Sequence, residues 1–518
     1  MTSDFLNTVA PIAEGQKRPH DQLQATGAKD GIHAALLNTQ GYIMVGHGRE
    51  HVWHALIRFR NGADPETLRK KLQEIVKLAA EEGGGAVTPT TDLVDPETRQ
   101  DASLVVSALG FTWRGYQRMG FTDCGERFSL EFQQGFAMRS QEITGRGVDD
   151  WDPVQWNPQD GYHALLILAA GRGHKESELQ RARKLQSDGK LPDATALLKE
   201  RKQKVSGALN DVADITWLKG EVRRKKPGND NNASEAQKPA GNGSSAMLAH
   251  KPVEHFGFTD GVSQPELLTW GNVKGVGTPF PSSGWMRGAA PSLVLIHEPI
   301  CREQDQSEFG SYMAFLNIEQ HVDSFNEAAQ GLAKKLNIDV ADAQALIIGR
   351  KQNGEPLACA GTDVNDFVDE TDANGANWPF ASHTRKMNSR QPGQEHHRIV
   401  RRGVTYTDGK RKGTYFQCFQ ADLQEQFEFL FKRWGNFRSQ PQKGCGVDPL
   451  VGVDPNHPQQ WPKPGGQNGN VPETAGFTIS ALTTLRGGDY FYFPSIPFLK
   501  AIEERWKTRH SDSAPAAR

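Results

Sequence analysis

The stretch HVWHALIRFRNGADPETLRKKLQEIVKLAAEE, residues 51–82, sets two different periods side by side. Across its first ten residues Trp53, Ala55, Ile57 and Phe59 recur at every second position, the alternation of a strand with one apolar face. A helix pattern follows at once: Asp64 stands at the N-cap, Pro65 at the first helical position, and Leu68, Leu72, Ile75 and Ala79 form one stripe. Working outward, SLVVSALGFTW (103–113) and YHALLILAAG (162–171) read as further strands, with a helical or irregular stretch around YQRMGF between them. The order predicts an α+β fold with a mainly antiparallel sheet.

The second half repeats this logic. SLVLIHEPI (292–300) predicts a strand, and GSYMAFLNIEQHVDSFNEAAQGLAKKL (310–336) a strand then a helix. TYFQCFQADLQEQFEFLFKRWGN (414–436) runs from a strand into a helix with Phe419, Leu423, Phe427, Leu430 and Trp434 along one side. ISALTTLRGGDYFYFPS (479–495) reads as a strand, a glycine turn and another strand. Two α+β units of similar order imply an internal duplication without a letter-by-letter repeat. Between them lies a polar, basic segment of helical character (176–206), then KKPGNDNNASEAQKPAGNGSS (225–245), whose composition predicts a long mobile loop. The expected layout is an N-terminal extension (1–50), a first unit (51–250) with an insertion at about 175–250, a second unit (251–505) and a disordered tail (506–518).

With 60 Lys plus Arg against 62 Asp plus Glu, the net charge of -2 gives no electrostatic reason to expect nucleic acid or an anionic membrane as partner. The first thirty residues carry four acids and no apolar core, so neither a secretory signal nor an anchor is expected, and no run reaches the ~18 apolar residues of a membrane span. Five scattered cysteines, an odd number without a Cys-x-x-Cys pair, fit a reducing compartment, and a cytoplasmic location is expected.

Three segments carry chemistry: HFGFTDGVSQP (255–265), FASHTRKMNSR (380–390) and RIVRRGVTY (398–406). Alone, each has a structural reading: Asp260 in a glycine-flanked turn, His383 as a hydrogen-bonded histidine, Arg401 and Arg402 as a surface pair. In this order they resemble the dye-decolourising (DyP-type) haem peroxidase family, which has a Gly-x-x-Asp-Gly loop (Gly257, Asp260, Gly261), a His-x-Arg-Lys-x-Asn-x-Arg segment (His383 to Arg390) and a following Arg-Arg-Gly (Arg401 to Gly403). The similarity extends through GSYMAFLNIEQHV, GRKQNGEPL, FQADLQEQFEFLFKRW and TLRGGDYFYFPS, and so over most of the chain from about 50 to 505.

The resemblance implies two tandem ferredoxin-like units of the dimeric α+β barrel type, with haem b (iron protoporphyrin IX) held mainly by the second. His383 matches the family's iron ligand. Its other ring nitrogen should donate to a carboxylate, for which Glu395 and Asp422 are both candidates. Asp260 matches the acid that moves a proton between the peroxide oxygens, and the adjacent Phe258 would restrict water. Arg401, eighteen residues after His383, matches the cation that stabilises the developing charge, in preference to Arg402. Gly261, Val262, Ser263, Asn388, Ser389 and Arg390 match segments that contact haem, with Arg390 a propionate partner. The long insertion suggests a larger, later-branching member, and Thr405 and Thr407 flank Tyr406 where many members have Pro-Tyr-Gly. The tail does not look like the peptide that directs some relatives into protein nanocompartments.

The implied activity is reduction of hydrogen peroxide with one-electron oxidation of phenols, aromatic amines or anthraquinone-type dyes. Family members often oxidise bulky dyes through surface aromatic residues; with 11 Trp and 8 Tyr the means exist, and no relay residue is singled out. The expected partners are peroxide and small aromatic reductants, with homo-oligomerisation left open. Two alternatives stand beside this: a haem-handling protein with incidental peroxidase activity, and an α+β protein with no haem. Presence of both Asp260 and Arg401 favours the enzyme, because binding haem needs only His383 and a pocket.

Overall fold

A computed structural model describes residues 31–78, 87–94, 105–171, 194–224, 252–267, 284–287, 289–300, 307–361, 365, 367–464 and 472–511. Four strands of the first half are β1 (His51–Phe59), β2 (Val106–Phe111), β3 (Ala164–Ala170) and β4 (Ala213–Glu221); four of the second are β5 (Phe309–Gln320), β6 (Val404–Asp408), β7 (Arg411–Gln420) and β8 (Thr483–Phe493). They join one sheet in the order β6-β7-β5-β8-β2-β3-β1-β4, all neighbours antiparallel. β3 and β5 read as nearly unbroken apolar runs because both of their faces are covered.

The halves meet at two seams. At one, β8 joins β2 at Tyr492 opposite Phe111; at the other, Thr405 Oγ1 of β6 donates to the carbonyl of Glu221 in β4. A glycine stands at each. A Cβ on Gly110 would lie 2.5 Å from the Phe493 ring, and one on Gly220 2.7 Å from a Val404 methyl. Only a residue without a side chain allows this approach.

The helix after β1 forms as its sequence requires. Asp64 Oδ2 accepts from the Thr67 backbone N–H at 2.8 Å, capping α1 (Pro65–Leu78), and Leu68, Leu72 and Ile75 are buried; Ala79 lies outside the described residues. α2 (Ala194–Leu209) covers β1, β3 and β4, with Leu198, Val205 and Leu209 inward. In the second half α3 (Val322–Leu336) and α4 (Val340–Ile348) pack together and build a separate apolar cluster with Phe256 and Phe258. No helix among the described residues is long and apolar enough to cross a membrane.

Several local expectations change. Residues 194–221, placed within an insertion, supply a core helix and a strand paired with β1 over nine residues; the predicted loop at 225–245 lies outside the described residues. SLVLIHEPI is mostly irregular, with a 3₁₀ turn at Pro291–Leu293 and a two-residue strand at Ile296–His297. ISALTTLRGGDYFYFPS contains one strand, not two, because Arg486 and Gly487 are absorbed as a bulge opposite β5 instead of reversing the chain. The helix after β7 is π-helical over Leu423–Glu428 and Leu430–Gly435, with its predicted apolar side buried. The tail expected to be disordered from 506 is helical to Ser511 in α5 (Ile502–Ser511); the Arg69 guanidinium lies 4.1 Å from the Trp506 ring, and Arg509 pairs with Asp123.

Candidate active site

A cavity of about 260 Å³ opens between the sheet and the second-half helices. Asp260, Gly261, Val262, Ser263, His383, Asn388, Arg390 and Arg401 all line it, so residues up to 141 positions apart in the chain converge. Phe258, Ile318, Phe416, Leu430, Phe431 and Trp434 give it an apolar wall.

The GFTDG loop bends as its glycines permit, with φ of 99° at Gly257 and 75° at Gly261. Ser263 also takes positive φ, 61°, and its buried hydroxyl explains why this is tolerated: it accepts from Arg350 Nη2 at 2.7 Å and from Arg390 Nη2 at 2.9 Å. Asp260 is half-buried; its backbone N–H donates to the Pro252 carbonyl at 2.9 Å and its Oδ1 accepts from the Gly261 N–H at 2.6 Å. Phe258 is buried against Phe325.

Arg401 sits on a two-residue strand (Val400–Arg401) paired with β7, and its Nη2 donates to the Val262 carbonyl at 2.8 Å. Arg402 points elsewhere, donating to the carbonyls of Tyr42 and Ile43 at 3.0 and 3.1 Å. Alternation along a strand therefore separates the two arginines that sequence leaves side by side.

His383 opens a one-turn helix, His383–Lys386. Its Nδ1 lies 2.9 Å from Asp448 Oδ2, while Asp448 Oδ1 accepts from the backbone N–H groups of Leu450 and Val451 at 2.9 and 2.8 Å. Burial pushes the Asp448 carboxyl up, but His383 and the two backbone donors outweigh it and hold it below the ordinary aspartate value. The same short helix is anchored by Lys386, whose buried ammonium donates to the carbonyls of Phe437 (2.9 Å), Gly446 (2.8 Å) and Gln440. The segment that Lys386 holds leads directly to Asp448, whose own N–H donates to the carbonyl of Gly435 at the end of the π-helix.

Neither expected partner of His383 is the real one. Asp422 caps the π-helix, accepting from the Glu425 N–H at 2.9 Å, and Glu395 lies in the 3₁₀ turn Glu395–His397. Ser389, expected among the haem-contacting residues, is turned from the cavity towards Asp369, 3.5 Å away; only its neighbours Asn388 and Arg390 face in. Sequence reasoning also passed over Arg350 and Glu254. Arg350 lies in GRKQNGEPL, one of the segments carrying the resemblance, and Glu254 stands just before the signature loop. Asp448 had no such signal. Burial, with the charge of Arg401 adding, pulls the Arg350 guanidinium down to about 10, so it remains charged at neutral pH.

Fold and site together define an α+β protein in which one carboxylate-backed imidazole, one carboxylate loop and several guanidinium groups surround a single apolar-walled cavity. Residues 289–443 match the model of the family "Dyp-type peroxidase, C-terminal". The chain is 32% identical over 285 residues to the multifunctional dye peroxidase DyP2 of Amycolatopsis sp., an alignment covering 48% of this chain and 61% of that protein. It is 27% identical to the dye-decolorizing peroxidase msp1 of Mycetinis scorodonius over 92% of this chain and 90% of that one. The crystal structure of a DyP-type peroxidase from Anabaena sp. superposes with a TM-score of 0.71 at 24% identity, covering 95% of this chain and all of that one. Over most of its length the chain is thus similar to DyP-type peroxidases, and it shares their fold.

Proposed function

We propose that the chain is a haem b peroxidase that reduces hydrogen peroxide and oxidises phenols, aromatic amines or anthraquinone-type dyes by one-electron steps. The observation that carries this reading is one cavity holding an imidazole backed by a buried carboxylate together with an acid and a guanidinium on separate segments. The donor set suits haem, a flat apolar macrocycle with one iron and two carboxylate tails. With a proton on Nδ1 bonded to Asp448, His383 keeps its Nε2 lone pair for iron, and the carboxylate makes the ring more electron-rich. Arg350 and Arg390, converging on Ser263, suit the propionates; Gly261, Val262 and Asn388 complete the wall.

When bound, haem supplies an iron centre for two-electron reduction of peroxide and one-electron oxidation of reductants. The chain's own part is proton and charge management. Asp260 would take a proton from one oxygen of hydrogen peroxide and return it to the other, so that with the two electrons bound haem would supply the O–O bond breaks and one oxygen departs as water. The Arg401 guanidinium stabilises the negative charge that develops on the oxygens, and Phe258 excludes water from beside Asp260.

The reading includes residues 51–250 and 251–505 as the two units, the second holding the cofactor, and a cytoplasmic location, supported by Cys124, Cys418 and Cys445 being free thiols. The test is a stopped-flow absorbance experiment on haem-loaded protein mixed with one equivalent of peroxide. A rapid change of the haem spectrum, reversed by a phenol, is expected; an unchanged spectrum overturns the proposal. His383→Ala should lose haem, and full occupancy with an unaltered spectrum would remove His383 as ligand.

A further inference from the structure

The loop that presents Asp260 contains a second acid facing the same cavity, Glu254. Its carboxyl is the centre of the loop. Oε2 accepts from the Phe256 N–H at 2.7 Å and from Gln320 Nε2 of β5 at 2.6 Å; Oε1 accepts from the Phe258 N–H at 2.8 Å. The Glu254 main chain closes the same turn, its N–H donating to the Phe258 carbonyl at 3.0 Å and its carbonyl accepting from Gly257 at 3.1 Å. The backbone direction at Asp260, two residues on from Phe258, is therefore set from Glu254.

We propose that Glu254 is a positioning residue for Asp260 whose own proton sets the alkaline limit of the site: neutral, it ties the acid-bearing loop to Gln320; ionised, it adds a second negative charge beside Asp260. This rests on the peroxidase reading above. Two observations carry it. The first is the shared cavity with Asp260 and the three converging donors. The second is the Gln320 amide, whose Oε1 is buried with no hydrogen-bond partner among the described residues. An amide turned by half a revolution offers an acceptor where it had a donor, so Gln320 serves Glu254 in either state: it donates to the carboxylate and, turned over, accepts from the carboxylic acid.

The electrostatics agree. Burial pushes the Glu254 carboxyl up to about 7, against the three donors and with the charge of Asp260 adding to the rise. The charged groups around it are Asp260 on its own loop, Arg223, whose guanidinium donates to the Glu254 carbonyl at 2.9 Å, and Arg350, Lys351 and Arg401 in the cavity wall. Ionisation of Glu254 therefore sets a charge against the acid that shares its loop and cavity.

Glu254→Gln keeps one of the two acceptor oxygens for the loop, places an NH₂ group at the other and removes the titration. In the wild-type holoenzyme the second-order rate with peroxide should fall through one ionisation near 7; in E254Q it should stay level between about pH 6 and 9, with the acidic limb unmoved. Infrared spectroscopy gives a readout independent of turnover: the wild-type-minus-E254Q difference, in which the Glu298 carboxyl cancels, should hold a protonated-carboxyl C=O band that disappears as the pH rises through the same range. Glu254→Asp retains an acid and should retain an alkaline limit, which keeps the test open if E254Q does not fold. An alkaline ionisation that persists in E254Q, or a wild-type protein without the titrating band, overturns the proposal. A holoenzyme with no peroxide reaction at any pH would instead overturn the peroxidase reading, while the infrared band would still report on Glu254.

Discussion

Replacing Asp448 with asparagine tests the His383 assignment by changing one atom. Asp448 is fully buried and uses its two oxygens differently: Oδ1 serves the Leu450 and Val451 backbone donors, Oδ2 serves His383 Nδ1. Asparagine keeps an oxygen for the backbone and so preserves the turn, but it places an NH₂ group opposite Nδ1. A neutral imidazole carries one N–H and one lone pair. To avoid facing donor with donor, His383 must accept at Nδ1 and move its proton to Nε2, the nitrogen assigned to iron. The charge-assisted hydrogen bond at 2.9 Å contributes roughly 1.5 to 3 kcal/mol. That agrees with the ~10 to 100-fold loss of affinity that follows removal of a partner behind a metal-bound histidine, or about 1.4 to 2.7 kcal/mol. The assay is spectrophotometric titration of apo-protein with haem, beside a thermal melt showing that the variant is folded. Weaker haem binding by that factor is expected. Equal affinity and an identical spectrum in folded D448N would refute both the tautomer argument and the assignment of His383.

Other outcomes follow from the same geometry. Asp260→Asn and Arg401→Leu should each retain haem and slow the reaction with peroxide by roughly 100-fold or more, read by stopped flow; unchanged rates in both would refute their roles. Glu298 is a buried acid away from the cavity, pushed up to about 7 chiefly by burial, with the charge of Glu308 adding. Because the folded state holds this proton more tightly than the unfolded one, its contribution is fully present below the ordinary glutamate value and is lost as pH rises towards 7, by up to about 3 kcal/mol. Denaturant unfolding across this range should show the decline in wild type and a flatter profile in Glu298→Gln. Gly110→Ala would bring a methyl to 2.5 Å from the Phe493 ring at the seam between the halves, and should lower stability by about 1 to 3 kcal/mol in a thermal or denaturant melt.

The local rules of the chain were legible without coordinates. Period-two alternation marked β1, the Asp64 cap and the Leu68, Leu72, Ile75 stripe marked the helix after it, and the same reading found β5 with its helix and the apolar side of the segment from Leu423 to Trp434. These features depend on residues a few positions apart, which a linear reading samples fully. Local reading failed where partners decided the outcome. The chain at Arg486 and Gly487 continues as a bulged strand because β5 pairs along its whole length, and residues 213–221 become a strand of the sheet because they pair with β1 over nine residues.

The candidate site divides in the same way. Sequence alone supplied the chemical groups, Asp260, His383 and Arg401, since each sits in a short motif of recognisable type. Tertiary structure alone decided what those groups face: Asp448 rather than Glu395 or Asp422 behind His383, Arg401 rather than Arg402 in the cavity wall, Ser389 turned away and Arg350 turned in. The physical reason is range. A side chain's type and its backbone bend are set by near neighbours, whereas its hydrogen-bond partner is whichever buried group the fold brings within about 3 Å, and for His383 that group lies 65 residues further along the chain.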